Sequence, residues 1–293
     1  MPATRFAVLS DIHGNLPALE AVWAEVERAS PDLVLDLGDI ASGPLWPRET
    51  VQWLMARETA EPARWRTIAG NHERQALAPD VARMGPSDAF AARALGEAER
   101  AWLARLPAAL WLSDEVLLCH GTPADDLAYF METVIPGFGT GGHRGVRAAT
   151  PVEMNGRAAQ SWPAAAADGR PVPRSGLAAS LVLCGHTHVP RAMAVAGGPL
   201  VVNPGSVGLP AYDDDHPHPH LVETGAPHAR WALVDRDAAG AWHVQLGATP
   251  YDWAAAAARA EANGRGDWAD ALATGFVGRT LAQMAATEVA PAE

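Results

Sequence analysis

Short apolar runs recur along the chain, and each closes on glycine or a polar cluster. Phe6–Ser10, Leu33–Leu37, Trp65–Ala69, Val116–Cys119, Leu181–Cys184 and Leu200–Asn203 are of this kind. Runs of that length bounded by turn residues predict buried strands. Between the first three lie helical stretches. Leu19, Val22, Trp23 and Val26 share one helical face, with Asn15 as a cap and Pro17 in the first turn. Arg48–Arg57 reads as a second helix. Strand, helix, strand, helix, strand predicts a layered α/β architecture with a mostly parallel sheet. Ligands of such sheets bind beyond the carboxyl ends of the strands.

Further along, Phe90–Leu106 reads as helix, and Ala109–Leu112 as a strand turning through Ser113-Asp114-Glu115 into Val116–Cys119. Residues 137–176 are rich in Gly, Ala and Pro, with a helix expected only at Pro151–Trp162. We read 137–176 as an insertion or lid within one domain spanning 1–293, since long loops inside compact domains are usually functional or disordered. Asp213–Pro227 is polar and His/Pro-rich and reads as a loop. Trp231–Asp235 and Trp242–Gly247 form a hairpin about Ala238-Ala239-Gly240. Helices at Trp253–Ala262 and Trp268–Met284 close the chain, over 251–285.

Composition narrows the classes. The chain has 293 residues, 48% of them hydrophobic, which supports one large core or two small ones. No apolar run reaches the roughly 18 residues of a membrane span, and the first residues lack the pattern of a signal peptide. Cys119 and Cys184 are the only cysteines. They read as buried reduced thiols, with a disulfide open to them if their strands are neighbours. These features point to the cytoplasm. Net charge is -12, from 22 basic and 34 acidic residues, with no basic cluster. That disfavours a nucleic-acid polymer as partner. A small phosphate ester stays open, provided metal ions supply local positive charge.

Five motifs sit where strands end: Asp11-Ile12-His13-Gly14-Asn15, Gly38-Asp39, Gly70-Asn71-His72-Glu73, His120-Gly121 and Gly185-His186-Thr187-His188. They hold more hard and borderline ligands than one ion needs, which suits a two-metal site activating water against a phosphate ester. Asp11 and His13 need a bend to face one ion, and Gly14 permits one. Asp39 is free to bridge two cations, and Asn71 offers an amide oxygen. His186 and His188 would point the same way in a plain strand; a turn could aim them at different ions. Each motif alone is weak. Their conjunction at strand ends is hard to explain as packing. His216, His218 and His220 alternate with Pro and read as a solvated loop rather than a third metal site.

The set resembles the calcineurin-like metallophosphoesterases, and within them the small prokaryotic phosphodiesterase branch. A sixth motif of that branch stands here as Asn203-Pro204-Gly205-Ser206-Val207. The resemblance spans Phe6 to Asp235. It implies a four-layer α/β/β/α sandwich of two mixed sheets flanked by helices. It implies a first metal on Asp11, His13 and His188, a second on Asn71, His120 and His186, and Asp39 as the bridge. The metals would be two divalent transition-metal ions: manganese, iron, nickel or zinc. His72 would be no ligand. It would donate a proton to the leaving oxygen, or else orient a ligand through a hydrogen bond. The implied activity is hydrolysis of small phosphodiesters by a metal-bridging hydroxide. Alternatives are a phosphomonoesterase, a dinucleoside polyphosphate hydrolase and a non-catalytic scaffold of the same fold. Retention of His72 and all seven ligand residues disfavours the scaffold.

Three departures stand out. Gly38-Asp39-Ile40-Ala41-Ser42-Gly43 lacks the Arg of the protein-phosphatase branch, which disfavours a Ser/Thr phosphatase. Glu73 stands where the family usually has Asp, and its longer side chain is expected to weaken a contact behind the ligands. Pro210 is followed by Ala211 rather than Arg; Arg144 or Arg147 of the insertion are candidates to replace that phosphate contact.

Overall fold

The first three apolar runs are strands β1 (Thr4–Leu9), β2 (Leu33–Asp36) and β3 (Trp65–Thr67), joined by helices α1 (Leu16–Ala29) and α2 (Pro47–Ala60). They pair in parallel, Phe6 opposite Leu33 and Val34 opposite Trp65. The computed structural model describes residues 4–139, 142, 144–166 and 171–278. Short helices α3 (Asn71–Ala76), α4 (Pro86–Ala94) and α5 (Glu97–Leu103) follow β3. Next come β4 (Ala109–Trp111), β5 (Val116–Cys119), β6 (Glu132–Val134), β7 (Val146–Ala148), α6 (Pro151–Ala158), β8 (Ser161–Ala166) and β9 (Pro171–Ser175). Strands β10 (Leu181–Leu183), β11 (Arg191–Ala194), β12 (Leu200–Asn203), β13 (Ala211–Asp214), β14 (His220–Glu223), β15 (Ala229–Arg236) and β16 (Trp242–Thr249) precede α7 (Trp253–Ala262) and α8 (Gly266–Thr274).

Two mixed sheets result. One runs β16-β15-β1-β2-β3, and the other β11-β12-β10-β5-β4-β8-β9. They pack face to face through Val8, Leu35, Leu118, Leu183, Val202 and Val234. On the far face of the first sheet, Ala7 and Leu9 meet Leu19, Val22 and Val26 of α1. On the far face of the second, Met154 and Ala158 of α6 meet Leu117 and Val182. This is the four-layer α/β/β/α sandwich. Strands buried on both faces explain why the sequence shows continuous apolar runs instead of alternation.

Several local expectations change. Phe90–Leu106 is two helices, parted at Leu95-Gly96 where the chain turns extended. The helix expected at Pro151–Trp162 ends at Ala158, and Trp162 belongs to β8. Asp213–Pro227 is no simple loop, because β13 and β14 pair there, Asp214 opposite His220. Its inward positions His220 and Val222 alternate with Leu221 and Glu223, a short period hidden by the Pro-rich flank. The last helix stops at Thr274, where Gly275 takes φ 76° and closes it. Residues 279–285 of the expected helical segment lie outside the described residues. Cys119 and Cys184 follow the paired residues Leu118 and Leu183, yet both thiols are free and buried. Among the described residues, no helix is long and apolar enough to cross a membrane.

Candidate metal centre

The motif loops from both sheets meet at one edge of the sandwich. Asp11, His13, Asp39, His186 and His188 all carry positive φ, between 53° and 66°. That region is costly for residues with a Cβ and tends to mark functional constraint. It swings each side chain off the line of its strand. Strand alternation therefore fails for His186 and His188, which fall in different groups. The bends are held from outside: Asp11 N donates to Gly38 O at 2.9 Å, His13 N to Asp39 O at 2.9 Å and Gly185 N to His120 O at 2.7 Å. At Gly70 a Cβ would lie 2.2 Å from Asp39 Oδ1, so only glycine lets the two loops approach. The sixth motif braces the others. Asn203 Nδ2 donates to Gly185 O at 2.7 Å, and Ser206 Oγ to Asp11 O at 2.7 Å.

Two donor groups result, Asp11 with His13 and His188, and Asp39 with His120 and His186. Within each group the ligand-type atoms lie within 4.8 Å of one another. His13 Nε2 and His188 Nε2 are 3.1 Å apart, and Asp39 Oδ2 is 3.0 Å from His120 Nε2. Asp11 Oδ1 lies 3.9 Å from His120 Nε2, so the groups adjoin. Asn71 points its amide oxygen at His186 Nδ1, His120 Nε2 and Asp39 Oδ2, 3.0 to 3.3 Å away.

The donor chemistry fits divalent cations. The outer nitrogens of His13, His120, His186 and His188 face the carbonyls of Ser42, Leu37, Leu127 and Leu209 at 2.7 to 3.0 Å. A carbonyl accepts only, so each outer nitrogen carries the hydrogen and the inward nitrogen keeps its lone pair. Burial lowers His13 to about 3 and His186 to about 4, favouring the neutral form. Burial alone would raise Asp39, but His120 and His72 hold it well below the usual carboxylate range. Asp11 Oδ1 is buried without a hydrogen-bond partner. An amide oxygen and a carboxylate oxygen among acceptors suit a cation.

The profile of the calcineurin-like phosphoesterases matches residues 4–190, and that of the calcineurin-like phosphoesterase superfamily domain matches 165–225. The chain belongs to the calcineurin-like phosphoesterases. Among solved structures, a metallophosphoesterase from Sphaerobacter thermophilus is 23% identical, with a TM-score of 0.62 over 94% of this chain and 100% of its own. A hypothetical protein from Pyrococcus horikoshii OT3 is 18% identical, with a TM-score of 0.66 over 94% of this chain and 99% of its own. At such identities the likeness concerns the fold. No curated protein matches the chain significantly.

His72 stands outside both donor groups of the phosphoesterase. Its backbone N donates to Asp39 Oδ1 at 2.9 Å, and its Nδ1 is 2.8 Å from Asp88 Oδ1. The imidazole remains 29% exposed, while Asp88 is buried. Burial alone would lower its pKa, but Asp39 and Asp88 raise it to about 9. Nothing in the sequence marks Asp88, which sits in the first turn of α4 and reads there as an ordinary helix-start carboxylate.

Glu73 corrects an expectation. Instead of weakening a contact, its carboxylate accepts from the backbone N–H groups of Asp39, Ile40 and Gly70, each at 2.8 Å. It ties the end of β2 to the start of α3. Glu73→Ala would leave three buried donors unpaired, at about 1–3 kcal/mol for an unsatisfied group. We expect a loss of at least about 2 kcal/mol in urea unfolding, only partly restored by Glu73→Gln, which keeps one acceptor oxygen and turns its NH2 toward the remaining donors. An unchanged midpoint for the Ala variant would sink this account.

A cavity of about 730 Å³ opens over both donor groups, walled by Tyr129, Tyr212 and Trp268. Its arginines are Arg157 and Arg265, not the expected candidates. Arg144 pairs with Glu223, and Arg147 binds Glu153 at 2.9 Å. Arg157 is held by the carbonyls of Phe130 and Glu132 at 2.9 Å, and Arg265 by Asp267 at 2.6 Å and Ser87 at 2.8 Å. His216 lines the cavity and is exposed, whereas His220 is buried. The three histidines of that stretch form no donor group among the described residues.

Proposed function

We propose that this phosphoesterase hydrolyses small phosphodiesters with two divalent transition metals. The observation that carries the reading is one cavity over two adjoining donor groups, with His72 at its edge and outside both. Asp11, His13 and His188 would hold one ion, and Asn71, His120 and His186 the other, with Asp39 between them. Manganese, iron, nickel and zinc all suit this nitrogen and oxygen set. When bound, such ions acidify water and neutralise phosphoryl oxygens. The chain itself orients the ligands through backbone carbonyls, holds His72 through Asp88 and aims its imidazole at the departing oxygen.

Preference for diesters rests on charge. The Gly38–Gly43 stretch carries no Arg, and Arg265 is neutralised by Asp267. Arg157 also lines the cavity, but its guanidinium already donates to the Phe130 and Glu132 carbonyls and to Thr133 Oγ1, so a monoester dianion finds few free cationic donors. The net charge of -12 disfavours a nucleic-acid polymer. Two adjacent thiols left free suit a reducing compartment, and we place the protein in the cytoplasm. We further propose that 137–176 is a cover within one domain. Arg157 from that segment lines the cavity, although α6 is anchored in the core. With manganese added, kcat/KM on bis-p-nitrophenyl phosphate should exceed that on p-nitrophenyl phosphate. The reverse order would make it a monoesterase, and inactivity on both would favour a scaffold. Arg157→Ala, which removes the one described side chain of that segment lining the cavity, should alter the preference among diesters at unchanged metal content. An unaltered substrate profile would sink the cover.

A further inference from the structure

Two tyrosines stand edge-on to the histidines of the Gly185–His188 loop, one for each donor group. The Tyr129 ring lies 5.1 Å from His186 at 71°, and the Tyr212 ring 4.7 Å from His188 at 63°. Their hydroxyls are 2.6 Å apart, and the Tyr129 hydroxyl is also 2.8 Å from His220 Nε2. We propose that Tyr129, Tyr212 and His220 form a directional hydrogen-bonded bracket that positions His186 and His188 for metal binding. This rests on reading those histidines as ligands.

The direction follows from counting protons. His220 Nδ1 is 2.8 Å from the His218 carbonyl, which can only accept. Nδ1 therefore carries the hydrogen, and Nε2 of the neutral imidazole is an acceptor. Tyr129 must donate to Nε2, which uses its single hydrogen. Its oxygen then accepts from Tyr212. The order runs Tyr212 to Tyr129 to His220, and each link uses a proton the previous residue supplies. His220 is 1% exposed, so the far end of the bracket is fixed in the interior.

The bracket joins parts of the fold that are distant in sequence. Tyr129 follows β5, whereas Tyr212 and His220 stand on the paired strands β13 and β14. The segment carrying Tyr129 also holds His186 directly, because the Leu127 carbonyl is 3.0 Å from His186 Nε2. His186 and His188 both carry positive φ, at 66° and 57°. Residues in that region persist only where surroundings over-determine them. The Tyr pair supplies such surroundings, with the Tyr212 hydroxyl also 3.4 Å from the His186 carbonyl.

Cobalt(II) titration of the full chain, read by visible absorption and elemental analysis, tests this without a substrate. Tyr129→Phe keeps both rings and deletes both links through the hydroxyl. It should weaken cobalt binding about tenfold or more and shift the absorption bands, as loss of partners behind ligands typically does. Tyr212→Phe should do the same to a smaller degree. His220→Gln offers an amide oxygen to Tyr129 and should bind nearly as the parent does, whereas His220→Leu should resemble Tyr129→Phe. Parental affinity and spectrum in Tyr129→Phe would overturn the bracket while leaving the metal reading intact. A parent chain that takes up no cobalt would overturn the metal reading, and the bracket with it.

Discussion

Asp39→Asn is expected to lose metal and activity together. The Asp39 side chain is buried, accepts from His72 N at 2.9 Å through one oxygen, and lies 3.0 Å from His120 Nε2 through the other. Asparagine keeps the volume and can keep the bond to His72, so the fold should persist. The lost charge is what two cations need, because a carboxylate between them offsets part of their mutual repulsion. We expect metal affinity to fall by more than the roughly 10–100-fold typical of residues behind the ligands. Activity on bis-p-nitrophenyl phosphate should fall to background. Elemental analysis of the purified variant decides the matter. Two metals retained per chain would mean that Asp39 is not the shared ligand.

His72→Ala should leave metal content intact and slow the chemistry. Positioned proton transfer typically contributes about 10²–10⁴-fold, and it matters most where the leaving oxygen is basic. Alkyl phosphodiesters should therefore lose that factor, and p-nitrophenyl esters much less. Equal losses on both would argue against the acid role and favour an orienting one. Asp88 gives a second handle. Asp39 and Asp88 raise His72 to about 9. An acid works while protonated, so activity should fall as pH rises through the pKa of His72. Bound cations would offset Asp39 and bring that limb below the value set by the protein alone. Asp88→Asn removes one of the raising charges, so the limb should move to lower pH than in the parent. A limb that stays put in Asp88→Asn would detach His72 from it.

Much of this protein was legible from local pattern, because local physics decides it. Continuous apolar runs identified the doubly buried strands, and the face made by Leu19, Val22 and Val26 identified α1. The polar residues ending those runs include the six side chains of the two donor groups. Strand ends leave the backbone free to bend, so chemistry concentrates there. Where composition masked periodicity, local reading failed: the His/Pro-rich stretch held β13 and β14, and an interior histidine.

Only the tertiary structure decided the grouping and the support. Asp11 and His188 are brought within 3.3 Å from strands of different sheets, a meeting no spacing encodes. The left-handed backbone at His186 and His188 separates residues that strand alternation would align, since hydrogen bonds from other loops impose it. Asp88, Tyr129, Tyr212, Arg157 and Arg265 carry no motif. Their roles arise because packing of the four layers sets α4, α6, the β13–β14 hairpin and the turn before α8 around one cavity. Glu73 shows the same limit in a single side chain. Its length reads as a defect beside the usual Asp, and becomes a triple acceptor only once β2 and α3 are folded together.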